Sequence, residues 1–265
     1  MLVLDDTPQR IAEISYLRAG PNGAERAMLP VQRLRVAAVP DGCDAVLAAS
    51  DLQGVATSPW GGASQLLAIT LADYLPIWAE EGLIPPVDRL GVLLCGDLYS
   101  APGADRRGVS GDVVDAWLAF ALAGCPWIVG IAGNHDVVSA EDLAEEVPSA
   151  VLLDGATVER GGTRIGGIGG IIGDPGQPHR RSPDVFMKTL DAVAGTDPSI
   201  LLLHEGPGGD LPGQLGNGEI RSFIERRRIP LTLCGHVGWE DRPVSRLGAG
   251  HVVNTDGRAV ILTPA

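Results

Sequence analysis

Polar side chains stand at the ends of five short apolar runs, and their types and spacing suit metal chemistry. The runs cover residues 45–49, 90–95, 127–132, 200–203 and 231–234, and each is typical of a strand buried on both faces. The segments that end them are, in the same order, Ser50-Asp51-Leu52-Gln53-Gly54, Gly96-Asp97, Gly133-Asn134-His135-Asp136, His204 and Gly235-His236. Because open α/β sheets assemble their sites at the carboxyl ends of strands, we expect these side chains to meet.

Side chains of Asp, Asn and His together suit divalent ions of intermediate softness, such as manganese, iron or zinc, and an Asp can bridge two ions. Two ions roughly 3.5–4 Å apart can hold a nucleophilic hydroxide and the oxygens of a phosphoryl group during an in-line displacement. For each residue alone the alternative is structural, since an Asp at a strand end is commonly a turn former or a helix cap. Their recurrence after successive buried strands favours a metal site.

In this order the residues resemble the calcineurin-like metallophosphoesterase superfamily, whose pattern runs D-x-H, G-D, G-N-H-[DE], H and G-H-x-H. The resemblance covers residues 44–260, and the block Gly133-Asn134-His135-Asp136 is its most specific part. It implies an α/β fold, a four-layer α/β/β/α sandwich of two mixed sheets flanked by helices. The protein phosphatases of this superfamily use G-D-x-x-D-R-G and G-N-H-E, which the chain lacks, so we expect a bacterial type of enzyme.

The resemblance also implies roles for the matching residues. His135 would be the general acid that protonates the leaving group, with Asp136 orienting or tuning it. The implied activity is hydrolysis of a small phosphomonoester or phosphodiester by a metal-activated hydroxide, with manganese as the expected metal and iron, zinc or magnesium as alternatives. The implied ligands are Asp51 for a first ion, Asp97 as the bridge, and, for the second ion, Asn134, His204 and His236.

Two departures from the pattern fall on the site of the first ion. Gln53 stands at the position of the histidine in D-x-H, and Gly238 stands at the position of the last histidine in G-H-x-H. Gln53 can still offer a carbonyl oxygen, whereas Gly238 has no side chain, so we expect one tight and one weak ion. The candidates to replace the missing imidazole are His251, Glu240 and Asp241. His251 also fits the opening of a strand over residues 251–254.

The double departure leaves two functions open. The retained Asp51 and the complete G-N-H-D block favour an enzyme, while the lost histidines favour a protein that binds a phosphorylated ligand through one good metal site without turning it over. Arg106 and Arg107 lie in a Gly-rich loop after Asp97, where a guanidinium could grip a phosphate in a bidentate manner. Solvated loop charges are the alternative for both arginines.

Helical patterns alternate with the apolar runs, which predicts an α/β architecture. The expected helices cover residues 65–81, 112–123, 184–194 and 219–227. The Gly-rich run 164–173 lacks the spacing of a dinucleotide-binding loop and is interpreted as a strand and turn. We expect a single domain over residues 1–265, in which residues 1–41 form an N-terminal extension that adds an edge strand at 34–39.

The composition restricts the classes of molecule that this chain of 265 residues is expected to bind. Its net charge of −13 disfavours nucleic acid and anionic membranes, although bound divalent ions can supply the positive charge that a small phosphorylated substrate requires. The sequence shows no signal peptide and no apolar run long enough for a membrane helix, so we expect a cytoplasmic protein. Its cysteines, expected to be buried and structural, are Cys43, Cys95, Cys125 and Cys234.

Overall fold

The protein is described by a computed structural model that covers residues 1–240 and 242–265. Strands supply most of its regular elements. In chain order they are β1 (Gln9–Gly20), β2 (Gly23–Val36), β3 (Ala45–Ser50), β4 (Gly54–Thr57), β5 (Ser64–Leu66), β6 (Leu90–Leu94), β7 (Gly111–Asp112), β8 (Ile128–Gly130), β9 (Asp136–Val137), β10 (Ala150–Leu152), β11 (Ala156–Arg160), β12 (Thr163–Ile168), β13 (Ile171–Ile172), β14 (Arg180–Arg181), β15 (Ile200–Glu205), β16 (Leu231–Gly235), β17 (Val244–Leu247), β18 (Gly250–Asn254) and β19 (Arg258–Pro264).

Helices connect many of these strands. They are α1 (Leu67–Glu80), α2 (Val114–Leu122), α3 (Ala140–Glu146), α4 (Pro183–Ala194) and α5 (Gly218–Arg227), with one 3₁₀ turn at Val87–Arg89. The predicted helices and the buried strands are confirmed with small shifts at their ends. The helix α3 was not predicted, although Ser139 caps it by accepting a hydrogen bond from the Asp142 amide. None of the helices in the described ranges is both long and apolar enough to span a bilayer.

The strands form two large sheets. One has nine strands in the order β10-β8-β6-β3-β19-β2-β1-β4-β5, and the other has six in the order β11-β12-β15-β16-β18-β17. Both are mixed, and β3, β6 and β8 run parallel to one another in the first, as β15, β16 and β18 do in the second. Their carboxyl ends therefore supply the loops that build the site.

The core has three layers, which shows why the apolar runs lack polar alternation. Successive residues of β3 point alternately to opposite faces, so Leu47 packs under α1 and α2 while Val46 packs between the two sheets. A third cluster lies between the six-stranded sheet and the helices α4 and α5, with Phe186 and Ile220 at its centre. This arrangement confirms the predicted α/β/β/α sandwich. The cysteines are buried with free thiols, as expected.

The N-terminal segment does not add an edge strand, which corrects the expectation for residues 34–39. It forms the long hairpin β1–β2, and β2 pairs in parallel with β19 inside the nine-stranded sheet. Because β19 lies near the C-terminus, the pairing joins segments more than two hundred residues apart, and no local pattern could reveal it. The hairpin also brings Tyr16 and Arg18 to the cavity described below.

Candidate metal centre

The predicted site residues lie in the loops that follow parallel strands. Asp51 follows β3, Asp97 follows β6, Asn134 follows β8, His236 follows β16, and His204 lies near the end of β15. A cavity of about 420 Å³ lies at this edge of the two sheets. Its lining includes the polar side chains of Asp51, Gln53, Asp97, His135, His236 and Asp256. The fold thus assembles the candidates that the strand ends indicated.

Three of these residues form a group that could hold a metal ion. One ligand atom each of Asp97, His204 and His236 lies within 4.8 Å of the other two. The Nε2 atom of His204 is 3.4 Å from Oδ2 of Asp97, and the rings of His204 and His236 have centroids 5.1 Å apart. These are residues of the second site implied by the resemblance.

Buried atoms without partners support metal binding at this group. His204 Nε2 and Asn134 Oδ1 are both buried and have no hydrogen-bond partner in the described part of the chain. The 3.4 Å contact of His204 with Asp97 is therefore an ion-pair distance rather than a satisfied hydrogen bond. Buried polar atoms normally have partners, and these two are the atoms that a divalent ion would take as ligands. The donor set fits a metal ion.

The charges of the site also fit a cation. Burial alone would lower the pKa of His204, but its contact with Asp97 and the charge of Asp51 raise that pKa to about 10. Burial would raise the pKa of Asp97, yet the imidazolium of His204 holds it below its ordinary value. The pKa of Asp51 lies well above its ordinary value because of burial and of the nearby Asp256 carboxylate. Bound cations would stabilise this concentration of negative charge.

Three site residues have left-handed backbone conformations, which are unfavourable for residues with a Cβ. Their φ angles are 53° at Asp51, 56° at Asp97 and 66° at His236. Such conformations cost on the order of 1–3 kcal/mol each and persist at functional sites where the surrounding structure enforces them. A Cβ on Gly133 would collide with Oδ1 of Asp97, so the glycine of the G-N-H-D block is required for the close approach of that carboxylate.

Gln53 contacts the carboxylate of Asp97 through its nitrogen. Its Nε2 donates a hydrogen bond to Oδ2 of Asp97 at 2.9 Å, so the carbonyl oxygen expected as a ligand is not the atom that faces Asp97. Asp51 accepts hydrogen bonds at Oδ2 from the hydroxyl of Ser50 and, at 2.9 Å, from the backbone amide of His236. The first site thus has preorganised carboxylates, and the role of Gln53 as a ligand stays a prediction.

His135 and Asp136 have different environments. The His135 imidazole lines the cavity, and its backbone amide donates to Oδ1 of Asp97 at 2.8 Å. Among the described residues no hydrogen bond joins the Asp136 carboxylate to the His135 ring, and the expected role of Asp136 in orienting or tuning that ring stays a prediction. Both carboxylate oxygens of Asp136 are instead taken by backbone amides at 2.7–3.3 Å, which belong to Gly133, Asp97, Leu98 and Tyr99. Asp136 is therefore a positioning residue that joins the loops after β6 and β8.

Asp256 lines the site cavity, although its sequence gave no reason to expect it there. It lies between β18 and β19 and lines the same cavity as Asp51 and Asp97. Asp-Gly is an ordinary turn sequence. The sole local sign of a site residue was that Thr255 and Asp256, both polar, directly follow the buried strand β18. Of the candidates to replace the missing imidazole, His251 lies in β18 and lines a separate cavity with Arg246, while Glu240 lines a cavity that it shares with Gly238 and Asp256. Asp241 lies outside the described residues.

Arg106 and Arg107 line the cavity together with Arg18 and Tyr16 of the hairpin. Both loop arginines are exposed. Arg107 donates from Nε to the carbonyl oxygen of Ala19 at 2.9 Å, which ties the loop after β6 to the hairpin. The N-terminal extension therefore forms one wall of the cavity.

The sequence matches the family model described as calcineurin-like phosphoesterase over residues 45–239. The match covers most of the chain, and the protein belongs to this family. Comparison with functionally curated proteins found no match.

Among solved structures the chain is similar to TT1561 of Thermus thermophilus, with a TM-score of 0.55, 18% identity, and coverage of 80% of this chain and 88% of that one. It also matches the sulfate thiohydrolase SoxB of Thermus thermophilus in complex with glycerol, with a TM-score of 0.43, 14% identity, and coverage of 83% and 53% respectively. The first of these similarities supports the fold alone.

Proposed function

We propose that the protein is a phosphoric ester hydrolase that requires divalent metal ions and acts on a small phosphomonoester or phosphodiester. The observation that carries this proposal is the position of His135, which lines the same cavity as Asp97 and His236. These two residues and the buried His204 form the group that could hold a metal ion. A proton donor beside a metal group is the arrangement that ester hydrolysis with a poor leaving group requires.

Divalent ions, when bound, supply positive charge for the phosphate oxygens and activate the attacking water. Asp97, Asn134, His204 and His236 would hold one ion, while Asp51 would contribute to the other. His135 has a buried Nδ1, so Nε2 is the ring nitrogen that a substrate in the cavity can reach. From there a protonated His135 would donate its proton to the leaving oxygen. We favour manganese as the ion, since a mixed set of carboxylate, amide and imidazole ligands suits it.

The cavity supports a small anionic substrate. Its volume of about 420 Å³ suits a compact ester, and Arg18, Arg106 and Arg107 place positive charge at its outer part in a chain whose net charge is −13. A long nucleic acid would need a basic surface that this composition does not supply. We propose that the substrate is a free small molecule and that the protein acts in the cytoplasm.

A second function has one observation in its favour. The carboxylates of Asp51 and Asp256 do not join the three-residue metal group, and Gln53 presents its amide nitrogen to Asp97. A protein in which the second ion alone binds well would retain a phosphorylated ligand without hydrolysing it at a useful rate.

One experiment separates the two functions. Protein purified without chelator is analysed for bound metals, and hydrolysis of generic aryl phosphate monoesters and diesters is followed with and without added manganese. Manganese-dependent turnover that falls in His135→Ala, with metal content unchanged, supports the hydrolase. Metal-dependent binding of phosphate without turnover supports the binding protein. A chain that binds no divalent ion would overturn both.

A further inference from the structure

The space beside Gly238 contains a carboxylate. A Cβ built on Gly238 would lie 3.2 Å from Oδ1 of Asp256. Position 238 is the one at which the family pattern has its last histidine, so the side chain of Asp256 approaches the point from which the missing imidazole would extend. The two residues also line a common cavity next to the site.

The backbone fixes Asp256 beside the first-site aspartate. Ser50 and Asp256 form an isolated parallel β-bridge, and the Gly257 amide donates to the carbonyl oxygen of Ser50 at 3.1 Å. The Asp256 amide is held by Oδ1 of Asn254 at 3.2 Å. Ser50 directly precedes Asp51, so these contacts place the two aspartates next to each other whatever their side chains do.

The Asp256 carboxylate is free to accept a ligand. It is half-buried, and within the described ranges no residue donates a hydrogen bond to either of its oxygens. The guanidinium of Arg258, which lies close by, donates instead to the carbonyl oxygens of Asp256 and Trp239. Its oxygens therefore remain available to a cation in the cavity.

A second observation supports cation binding beside these carboxylates. The Nε2 atom of His204, whose side chain is fully buried, faces Asp97 without a hydrogen-bond partner. Asp97 lines the cavity together with Asp51 and Asp256. The cluster of acidic groups thus adjoins an unsatisfied metal-ligating nitrogen.

We propose that Asp256 is a ligand of the first divalent ion and replaces the imidazole that the chain lacks at Gly238. The site would then consist of Asp51, the bridging Asp97 and Asp256, with Gln53 holding Asp97 through its hydrogen bond. This set of oxygen ligands favours manganese or magnesium over zinc for the first ion. The inference rests on the metal binding of the proposed function and extends it to a residue outside the family pattern.

The test compares Asp256→Asn, which keeps the shape and removes the charge, with Glu240→Gln. Glu240 is the other carboxylate that shares a cavity with Gly238, although it does not line the cavity of Asp51 and Asp97, so this variant asks whether Glu240 supplies the ligand instead. Manganese binding is measured by calorimetry and by elemental analysis after dialysis. Asp256→Asn should lower the affinity for the weakly bound ion about tenfold or more and leave the affinity for the tightly bound ion unchanged. Glu240→Gln should change neither ion.

Thermal unfolding distinguishes a ligand from a structural residue. If Asp256 is a ligand, metal-free Asp256→Asn should unfold at the same or a higher temperature than the parent, because one of several crowded negative charges is removed, and the rise in Tm on adding manganese should shrink. A fall in the metal-free Tm with an unchanged rise would assign Asp256 a purely structural role and overturn the proposal.

A second variant tests the replacement directly. Asp256→Ala combined with Gly238→His removes the carboxylate that an imidazole at 238 would meet and restores the histidine of the pattern. It should recover affinity for the weak ion relative to Asp256→Ala alone. If the parent binds two ions and Asp256→Asn keeps both affinities, the proposal fails while the proposed function stands. If the parent binds no divalent ion at all, both fail.

Discussion

The Nδ1 atom of His204 lies 2.8 Å from the carbonyl oxygen of Cys95, the last residue of the apolar run 90–95. A carbonyl can only accept, so Nδ1 carries the proton in this contact. In the neutral imidazole Nε2 then has a free lone pair, and it is this atom that faces Asp97. A hydrogen bond of this kind on the far nitrogen is typical of metal-binding histidines, since it fixes both the ring orientation and the tautomer.

Metal loading should be unequal because the second site has a preassembled group of three ligands and the first site does not. Calorimetry with manganese should show one tight and one weak ion. His204→Ala should abolish the tight ion, whereas His251→Ala, which removes an imidazole that lines a separate cavity, should leave both unchanged. Equal affinities in the parent protein, or a tight ion retained in His204→Ala, would contradict the assignment.

Metal affinity should rise with pH. The pKa of His204 is raised to about 10 in the metal-free protein, so the imidazole is protonated at neutral pH and an ion must displace that proton from Nε2. Displacement of one proton strengthens binding up to about tenfold per pH unit, until the pH passes the pKa of His204. Manganese titrations between about pH 6 and 8, run in buffers of different ionisation enthalpy, count the protons released. If metal affinity did not change with pH in this range, His204 would not be a ligand that loses a proton when the ion binds.

The arginines at the mouth of the cavity should contribute to substrate binding more than to turnover. Arg106→Ala and Arg107→Ala should each raise KM for an aryl phosphate severalfold with a smaller change in kcat, and the effect should shrink at high salt. Arg10→Ala is the control, since Arg10 is exposed on β1 and pairs with Glu13 away from the cavity. An unchanged KM in both loop variants would show that these charges are merely solvated.

Much of the fold could be predicted from the sequence because its signals are local. Runs such as 200–203 and 231–234 are continuous and apolar since both faces of β15 and β16 are covered, and each is followed within two residues by a candidate metal ligand, His204 or His236. The hairpin β1–β2 could not be placed in this way. It lies within the sheet by pairing with β19, a contact between distant parts of the chain.

The site was predicted where residue type and strand end coincide, as at Asp97 and His204. Asp256 was missed because an Asp-Gly pair is ordinary in a turn, and its proximity to Asp51 arises from a bridge between Ser50 and Asp256. The left-handed conformations at Asp51, Asp97 and His236 were equally invisible, since nothing in a carboxylate or imidazole side chain signals such a backbone.

His135→Ala should lower turnover by roughly 10²–10⁴-fold while sparing metal content. The metal site should survive because the contact of His135 with Oδ1 of Asp97 is made by its backbone amide, which alanine retains. The defect should shrink for esters with very acidic leaving groups, because these depart without protonation. Loss of metal from the variant, or an equal defect for all leaving groups, would show that His135 is not the general acid.

Asp136→Asn should destabilise the protein, since Asp136 is buried and accepts hydrogen bonds from the backbone amides of Gly133, Asp97, Leu98 and Tyr99. The side chain of asparagine would place its NH₂ group against backbone N–H donors. At least one of these donors would lose its acceptor, which lowers the free energy of unfolding by on the order of 3 kcal/mol. The Tm should fall by several degrees, while Asp115→Asn, a matched change at an exposed position of α2, should leave it unchanged. If Asp136 instead tuned the His135 imidazole, the variant would keep its Tm and shift the acidic or basic limb of the rate profile with pH. Denaturant unfolding and the pH dependence of kcat, measured on the same preparations, decide between these outcomes.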